Sequence, residues 1–322
     1  MRKPIKIKDP VYGYIEINNS KIYDTINSPL FQRLKDIIQT SYSSVYPASL
    51  HNRFIHSIGV YYLGTLAIKG IKENSAEIIS TFDQYIETFL LACLLHDVGH
   101  SPFSHTGEKF YDLPTPQALW EKLQNEINDP QFFKSSRIGN PHEIMSALEA
   151  ITYFPIETIE KEQYSFFVRC IIGFKYKDKT DVRNCFIELL NSSTIDVDKL
   201  DYLIRDSYYT GFKTITIDYE RLLGSLTIIN QNDTFSLAFT KAGLSTLESV
   251  ILAHDMERKW LQNHPTILYE NFLLESIIEK VIGKYSKHNI SLFSLEALTT
   301  EGVQGTDGKT IRLLSDSDIL YE

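Results

Sequence analysis

Residues 94–105 read Leu-Leu-His-Asp-Val-Gly-His-Ser-Pro-Phe-Ser-His, and this stretch decides how the whole chain is interpreted. The apolar run at residues 89–95 predicts a buried helix that ends in a loop containing Gly and Pro. The last turn of that helix would present His96 and Asp97 together, and imidazole and carboxylate are ligands for divalent transition metals. A His-Asp pair recurs at residues 254–255, so the dipeptide alone does not identify a metal site.

Composition excludes several classes of function. The chain has 322 residues and 43% hydrophobic content, as expected of one large or two ordinary globular domains. Its net charge of -9 argues against a surface that holds nucleic acid by neutralising phosphates, so an anionic substrate would need a local basic pocket. No apolar run approaches the roughly 20 residues that span a bilayer, and no signal peptide is recognisable, so we expect no membrane partner.

The cysteines indicate the redox environment. Cys93, Cys170 and Cys185 are odd in number, widely spaced and set among apolar residues. This pattern predicts reduced thiols in the core rather than a disulfide framework. We therefore expect a soluble protein of the cytoplasm.

Hydrophobic periodicity predicts a mainly α fold with small β-hairpin additions. One hairpin is expected at the N-terminus and another within residues 213–240. The predicted helices cover residues 28–39, 53–73, 77–95, 141–151, 193–211, 244–262 and 268–286.

We expect the chain to have three parts. Residues 1–20 form an N-terminal β arm, residues 21–290 a helical domain, and residues 291–322 a C-terminal extension. Within the domain, the Pro-containing polar stretch at 112–141 is the best candidate for an insertion that acts as a lid.

Two further histidines fall at helix starts. His56 lies on the same arc as the apolar stripe Ile55, Val60 and Leu63, which predicts an inward side chain. A core histidine bonded to a backbone carbonyl would look the same. The pair His142-Glu143 falls in the first turn of its helix, where Glu also complements the helix dipole.

The helix predicted within residues 193–211 has two different faces. Apolar residues share one arc, whereas Asp198, Lys199, Tyr202, Arg205 and Asp206 gather on the opposite one. A carboxylate for a metal, a cation for phosphate and an aromatic ring for stacking would serve a nucleotide site. The alternative is a charged face that is simply solvated.

Together, His56, His96-Asp97 and Asp198 provide two imidazoles and two carboxylates from three helices, a donor set suited to a divalent metal. This order, H…HD…D, resembles the HD-domain metal-dependent phosphohydrolases. Longer motifs resemble the deoxynucleoside triphosphate triphosphohydrolase (dGTPase-like) branch of that family: Asn-Arg-Phe-Ile-His-Ser at 52–57, His-Asp-Val-Gly-His-Ser-Pro-Phe-Ser-His at 96–105 and Ile-Asp-Val-Asp-Lys-Leu-Asp-Tyr at 195–202. The resemblance extends over roughly residues 5–285 and implies an HD-domain helical bundle.

The resemblance also implies a role for each matching residue. The ligands of a divalent ion (Mn, Fe, Zn, Ni or Mg) would be His56, His96, Asp97 and Asp198. The catalytic residues would be His105, Glu108, His142 and Glu143, with His105 and Glu108 as a proton-transfer pair near the leaving oxygen. Glu108 stands where Asp is more usual.

Substrate contacts are implied in the same way. Arg53 and Lys199 would bind phosphate oxygens, and Tyr202 would pack on the sugar. Asp206 would accept a hydrogen bond from the 3′-hydroxyl, and Gln39 would contact the sugar or the base edge.

The implied reaction converts a deoxynucleoside triphosphate into a deoxynucleoside and inorganic triphosphate. Two alternatives stay open: an HD-domain phosphohydrolase for another phosphoester, such as a nucleoside monophosphate or cyclic nucleotide, and a nucleotide-binding regulator that does not hydrolyse. The resemblance and the N-terminal arm favour a homo-oligomer, a dimer or larger. Family chains usually continue beyond residues 315–319, so residues 291–322 are interpreted as a truncated lobe.

Overall fold

A computed structural model describes residues 4–41, 43–112, 116–134, 139–154, 163–211, 216–305 and 308–321. Helices dominate this part of the chain, which confirms the mainly α fold. They are α1 (Ser20–Ile26), α2 (Pro29–Arg33), α3 (Arg53–Asn74), α4 (Ala76–Ile79), α5 (Asp83–Leu95), α6 (Pro116–Ile127), α7 (Pro130–Phe133), α8 (Pro141–Tyr153), α9 (Tyr164–Ile172), α10 (Arg183–Leu190), α11 (Val197–Thr210), α12 (Tyr219–Gly224), α13 (Leu244–Glu257), α14 (Pro265–Ser286), α15 (Leu295–Leu298) and α16 (Asp316–Leu320).

The strands of the described residues form three separate antiparallel hairpins. They pair β1 (Ile5–Asp9) with β2 (Gly13–Ile17), β3 (Leu226–Gln231) with β4 (Thr234–Phe239), and β5 (Val303–Gln304) with β6 (Thr310–Ile311). Both predicted hairpin regions are therefore present. The turn of the second hairpin holds Asn232 and Asp233 at φ of 52° and 59°, a left-handed conformation that both residue types tolerate.

Helix α3 lies at the centre of the molecule and packs against α5, α11 and α12. Buried residues occur on nearly all of its faces, so the single apolar stripe predicted for it is too narrow. Gly70 permits the close approach of α12, because a Cβ there would lie 2.0 Å from the Leu223 carbonyl oxygen. Among the described helices, α3 alone is long and apolar enough to cross a membrane, but 67% of its most apolar window is buried inside the protein.

Packing changes two of the predicted helices. The helix expected at 77–95 is interrupted by a 3-10 turn over Ser80–Phe82, where Phe82 is fully buried and stacks on Phe186 at 3.4 Å between ring centroids. The helix expected at 28–39 is short, because the chain becomes extended at Ile37 and residue 38 forms a β-bridge with residue 52. The bridge places residue 38 beside Asn52, the residue that caps the start of α3.

Two other regions differ from the predicted pattern. Of the alternating residues 214–217, the first two lie outside the described residues and the other two are not in a strand; Asp218 caps α12 instead, accepting a hydrogen bond from Arg221 N. The helix expected at 244–262 changes to a π-helix over Arg258–Gln262.

The remaining regions pack on the same core. Within the stretch interpreted as a lid, Leu119, Trp120 and Phe132 of α6 and α7 are buried. In the C-terminal extension, Phe293 and Leu314 are buried as well. The three-part division of the chain, and the lid, stay predictions. Cys93, Cys170 and Cys185 are buried and unpaired.

Candidate metal centre and active site

Three helices bring the four predicted metal ligands together. His56 lies in the first turn of α3, His96 and Asp97 follow the end of α5, and Asp198 lies in the first turn of α11. The Nε2 atoms of the two histidines are 3.2 Å apart, and Asp198 Oδ1 lies 3.1 Å from the first and 3.5 Å from the second. Each oxygen of Asp97 lies 3.5 Å from one of these nitrogens. Donor atoms that share one ion at about 2.1 Å have separations in this range.

The outer ring nitrogens show that this donor set fits a metal. His96 Nδ1 lies 2.9 Å from the Cys93 carbonyl oxygen, which can only accept, so this nitrogen carries the proton. His56 Nδ1 lies 2.7 Å from Asp201 Oδ2 and is a donor in the same way. In neutral rings both Nε2 atoms then present lone pairs to each other. A cation between them removes the repulsion.

The charges of the site also favour a cation. Burial lowers the pKa of His56, but hydrogen bonds to Asp198 and Asp201 outweigh burial and raise it to about 10. Burial raises the pKa of Asp198, yet its contacts with His56 and His96 hold it well below the usual range. The pocket therefore stabilises positive charge between its carboxylates, and a divalent ion can take the place of the protons.

Arg53 lies beside this site rather than on an open surface. Its Nη1 donates to Asp97 Oδ2 and its Nε donates to Ser104 Oγ over 2.8 Å. Burial raises the pKa of Asp97, but Arg53 and then His96 hold it below the usual range. Within the described residues, Nη2 of Arg53 is buried without a partner. Arg53 thus orients Asp97, a predicted ligand, and keeps the two N–H donors of Nη2 unused.

A second cluster of protonatable side chains adjoins the first. Glu108 Oε1 contacts His105 Nδ1 and lies 2.9 Å from His142 Nδ1 and 3.8 Å from His100 Nε2. His100 Nε2 is in turn 3.9 Å from Asp97 Oδ1, so the two clusters are neighbours. The donor atoms of this second cluster also lie within 4.8 Å of one another. Two clusters whose donor atoms could each hold a cation thus lie side by side.

The second cluster has the charges of a proton-transfer group. Burial raises the pKa of Glu108, but His142 and then His105 hold it below the usual range. Burial lowers the pKa of His142, whereas Glu108 raises it to about 9. His105 is 68% exposed, so its Nε2 can face a substrate. A carboxylate that orients an accessible imidazole is an arrangement for general acid-base catalysis.

The side chain of Glu143 makes contacts that stabilise the fold. Its Oε2 accepts from Asn140 N over 2.9 Å, which caps α8, and its Oε1 accepts from Asn191 Nδ2 over 2.9 Å. These contacts match the helix-start interpretation of the His-Glu pair. Glu143 still contributes negative charge near His142 and Lys199.

The residues predicted to contact substrate lie along α11 and in the segment before α3. Lys199 Nζ donates to Ser192 O and Asp196 Oδ2, each over 2.7 Å. Tyr202 is half-buried, and Asp206 Oδ1 lies 2.5 Å from His51 Nε2. Gln39 is also half-buried, and its Oε1 lacks a partner among the described residues. The polar face of α11 is thus largely covered by protein and not simply solvated.

Two residues of the site escaped sequence reasoning. Asp201 binds His56 and is held by Arg205 Nε over 2.8 Å and by Tyr12 Oη over 2.7 Å. Its spacing of four from Arg205 is the one signal that could have marked a buried ion pair. His51, which pairs with Asp206, stacks on Tyr209 with 4.7 Å between the ring centroids. No local sequence pattern predicts this contact.

Comparison with known proteins finds a matching family model and several relatives. The family model described as "HD domain" matches residues 53–151. The uncharacterized protein YwfO of Bacillus subtilis is 30% identical over 276 residues, covering 85% of this chain and 55% of the relative. The deoxynucleoside triphosphate triphosphohydrolase SAMHD1 of Danio rerio is 32% identical over 238 residues, covering 69% of this chain and 36% of that protein. The chain thus spans about half or less of the length of these relatives.

Solved structures agree on the fold. A phosphohydrolase from Bacteroides thetaiotaomicron superposes with a TM-score of 0.66 at 28% identity, covering 89% of this chain and 61% of that one. A hypothetical protein from Aquifex aeolicus has a TM-score of 0.65 at 23% identity, covering 99% of this chain and 71% of that one, and supports the fold alone. The chain therefore belongs to the HD-domain phosphohydrolases, in the branch that resembles the deoxynucleoside triphosphate triphosphohydrolases.

Proposed function

We propose that this protein hydrolyses deoxynucleoside triphosphates to a deoxynucleoside and inorganic triphosphate. The observation that carries the proposal is the adjacency of the two clusters: the donor set of His56, His96 and Asp198 lies next to the Glu108–His105 pair. The named activity of the SAMHD1 relatives supports the choice of substrate. In this reaction water forms a bond to the α-phosphorus, the bond from phosphorus to the 5′-oxygen breaks, and that oxygen takes a proton.

The protein's own groups have distinct tasks in this proposal. A divalent ion held by His56, His96, Asp97 and Asp198 would supply Lewis-acid stabilisation of charge at the α-phosphate. Glu108 fixes His105 through Nδ1, so His105 delivers a proton to the 5′-oxygen from Nε2. His142 shares the Glu108 carboxylate and keeps it ionised.

Phosphate and sugar contacts extend the site in the same proposal. Arg53 Nη2 is the buried donor still available for a phosphate oxygen. Lys199 would bind phosphate while it stays anchored to Asp196. Tyr202 would pack on the sugar, Asp206 would accept from its 3′-hydroxyl, and Gln39 would contact the sugar or base edge.

The first test identifies metal and product together. The purified protein is expected to contain about one divalent ion per chain, with Mn, Fe, Zn, Ni and Mg distinguished by elemental analysis, and to release inorganic triphosphate from a panel of four dNTPs. Phosphate as the sole inorganic product would instead support the other phosphoester hydrolases. Tight nucleotide binding without any product would support the regulator.

A pair of variants shows whether the activity belongs to this site. His96→Ala is expected to lose both the metal and triphosphate release, because it removes one of the two imidazole ligands. His288→Ala removes an exposed histidine of the turn after α14 and should change neither. Triphosphate release that survives His96→Ala would assign the activity to another site or to a contaminant.

The cytoplasmic location and the homo-oligomer belong to the same proposal. The buried, unpaired thiols support a reducing compartment. Exposed large apolar side chains on α13 and α14, such as Ile251, Leu252 and Phe272, support association with a second copy of the chain.

A further inference from the structure

The C-terminal segment at residues 313–318 reaches the candidate active site from more than 200 residues away in sequence. Asp316, the first residue of α16, is buried, with 5% of its surface exposed. Its Oδ1 accepts from Phe103 N over 2.7 Å, and its Oδ2 accepts from Ile38 N over 2.9 Å. One carboxylate therefore joins the loop that carries His105 to the segment that carries Gln39.

The loop that Asp316 holds has an unusual backbone. Phe103 and Ser104 adopt φ of 59° and 54°, two successive left-handed conformations at residues other than glycine. Such conformations persist only where the surrounding structure fixes them. The next residue is His105, so its direction depends on how firmly this turn is fixed.

Arg33 of α2 joins the C-terminal segment to the same loop. Arg33 donates from Nη2 to His100 O over 2.6 Å and from Nε to Leu314 O over 2.7 Å. Ser104 Oγ donates to Ile38 O over 2.6 Å. Hydrogen bonds thus join the loop, the segment before α3 and the C-terminal segment. Asp316, in the C-terminal segment, contacts both the loop and the segment before α3.

We propose that Asp316 is a positioning residue that holds His105 and Gln39 in register across the active site. It contacts none of the four proposed metal ligands, so its removal should leave the metal in place. The predicted effect on turnover rests on the proposed function. The predicted effect on the loop is measured by hydrogen exchange and needs no substrate.

The test uses two substitutions. Asp316→Asn keeps one acceptor oxygen and turns an amide NH2 toward the other N–H, so it should lose one of the two contacts. Asp316→Ala loses both. We expect kcat for dNTP hydrolysis to fall about 10-fold in the first and about 100-fold in the second, with KM within about 3-fold, because displaced catalytic groups slow the chemical step.

A matched control lies two residues further on. Asp318 is exposed and accepts from Ser315 N, the residue that caps its own helix. Asp318→Asn removes the same charge from the same turn, and Asn retains an acceptor for that contact. Its kcat should equal that of the unchanged protein.

Hydrogen exchange at single amides separates this inference from the proposed function. The amides of Ile38 and Phe103 should exchange at least about 10-fold faster in Asp316→Ala, with metal content unchanged. Unchanged exchange would overturn the inference, even if the protein proved inactive on dNTPs. Faster exchange with unchanged kcat would overturn it too, and so would loss of the metal together with kcat.

Discussion

At the scale of single residues, the site depends on which nitrogen of each histidine carries the proton. Asp201 fixes His56 with Nδ1 protonated and Nε2 directed toward the other ligands. Burial raises the pKa of Asp201, but Arg205 and then His56 lower it to about 2, so it is a carboxylate at neutral pH. A carboxylate behind a metal-binding histidine sets both its tautomer and its basicity.

Asp201→Asn should therefore weaken metal binding about 10- to 100-fold, because the amide can present a donor to His56 Nδ1 and disturb the tautomer. Competition with a chelator of known affinity measures the change. Asp255→Asn, at an exposed position on α13, is the matched control and should bind metal normally. Equal affinity of both variants would mean that Asp201 has no part in the site.

Glu149 gives the protein a defined pH dependence. It is fully buried, and within the described residues neither of its carboxylate oxygens has a hydrogen-bond partner. Burial raises its pKa from 4.5 to about 8, against the opposing effect of Arg33. The folded protein thus holds this proton more tightly than the unfolded chain does. Its contribution to stability is complete below pH 4.5 and is lost as the pH rises through about 8.

The free energy of unfolding should accordingly fall between pH 5 and pH 8 by an amount on the order of a few kcal/mol, since each unit of pKa difference corresponds to about 1.4 kcal/mol. Glu149→Gln cannot titrate and should flatten this dependence. Urea unfolding at a series of pH values measures both proteins. Parallel pH profiles would show that Glu149 is not the group responsible.

At the scale of elements, the pairing of α3 with α11 determines whether the site can form. Gly59 lies where α11 comes closest, and a Cβ there would be 1.9 Å from Asp201 Oδ1 and 2.4 Å from Arg205 Nη2. The missing side chain makes room for the buried ion pair behind His56. The sequence predicts the charged face of α11 but not its burial, because helical periodicity does not show what covers a face.

Gly59→Ala should consequently lower both the thermal midpoint and the metal affinity, because its methyl group displaces the carboxylate that orients His56. Gly283→Ala in α14 is the control: a Cβ there meets nothing within 4 Å, so it should stabilise the helix by about 0.5–1 kcal/mol. Calorimetry with and without added metal measures both effects. Normal metal affinity in Gly59→Ala would contradict this account of the helix pair.

At the scale of the whole molecule, sequence reasoning succeeds where motifs are local and fails where contacts are distant. The start of α3 at residue 53, the hairpin regions and the grouping of His96 with Asp97 follow from patterns within a few residues. The contact between Asp316 and Ile38 joins residues 278 apart, and no periodicity reports such a pair. The break before α5 is another example, because it depends on the stacking of Phe82 on Phe186.

The exposed apolar face of α13 and α14 provides the test of the predicted homo-oligomer. Phe272 is 61% exposed, and Phe272→Glu should reduce the molar mass measured by light scattering after size exclusion, because a buried charge opposes association. Leu50→Glu changes an equally exposed leucine of the loop before α3, outside the apolar face of these helices, and should leave the mass unchanged. A monomeric mass for the unchanged protein would refute the oligomer.

The N-terminal hairpin has a consequence for the order in which the protein matures. Asp9 Oδ2 accepts from Arg205 Nη1, a contact between residues 196 apart, and Tyr12 Oη donates to the carboxylate that orients His56. During synthesis the first strands leave the ribosome long before α11 exists. The contacts of the hairpin with Asp201 and Arg205 cannot form until α11 emerges, and the candidate metal centre cannot be complete before then. A divalent ion held by His56, His96, Asp97 and Asp198 would therefore be loaded late in biosynthesis, after most of the chain has been made.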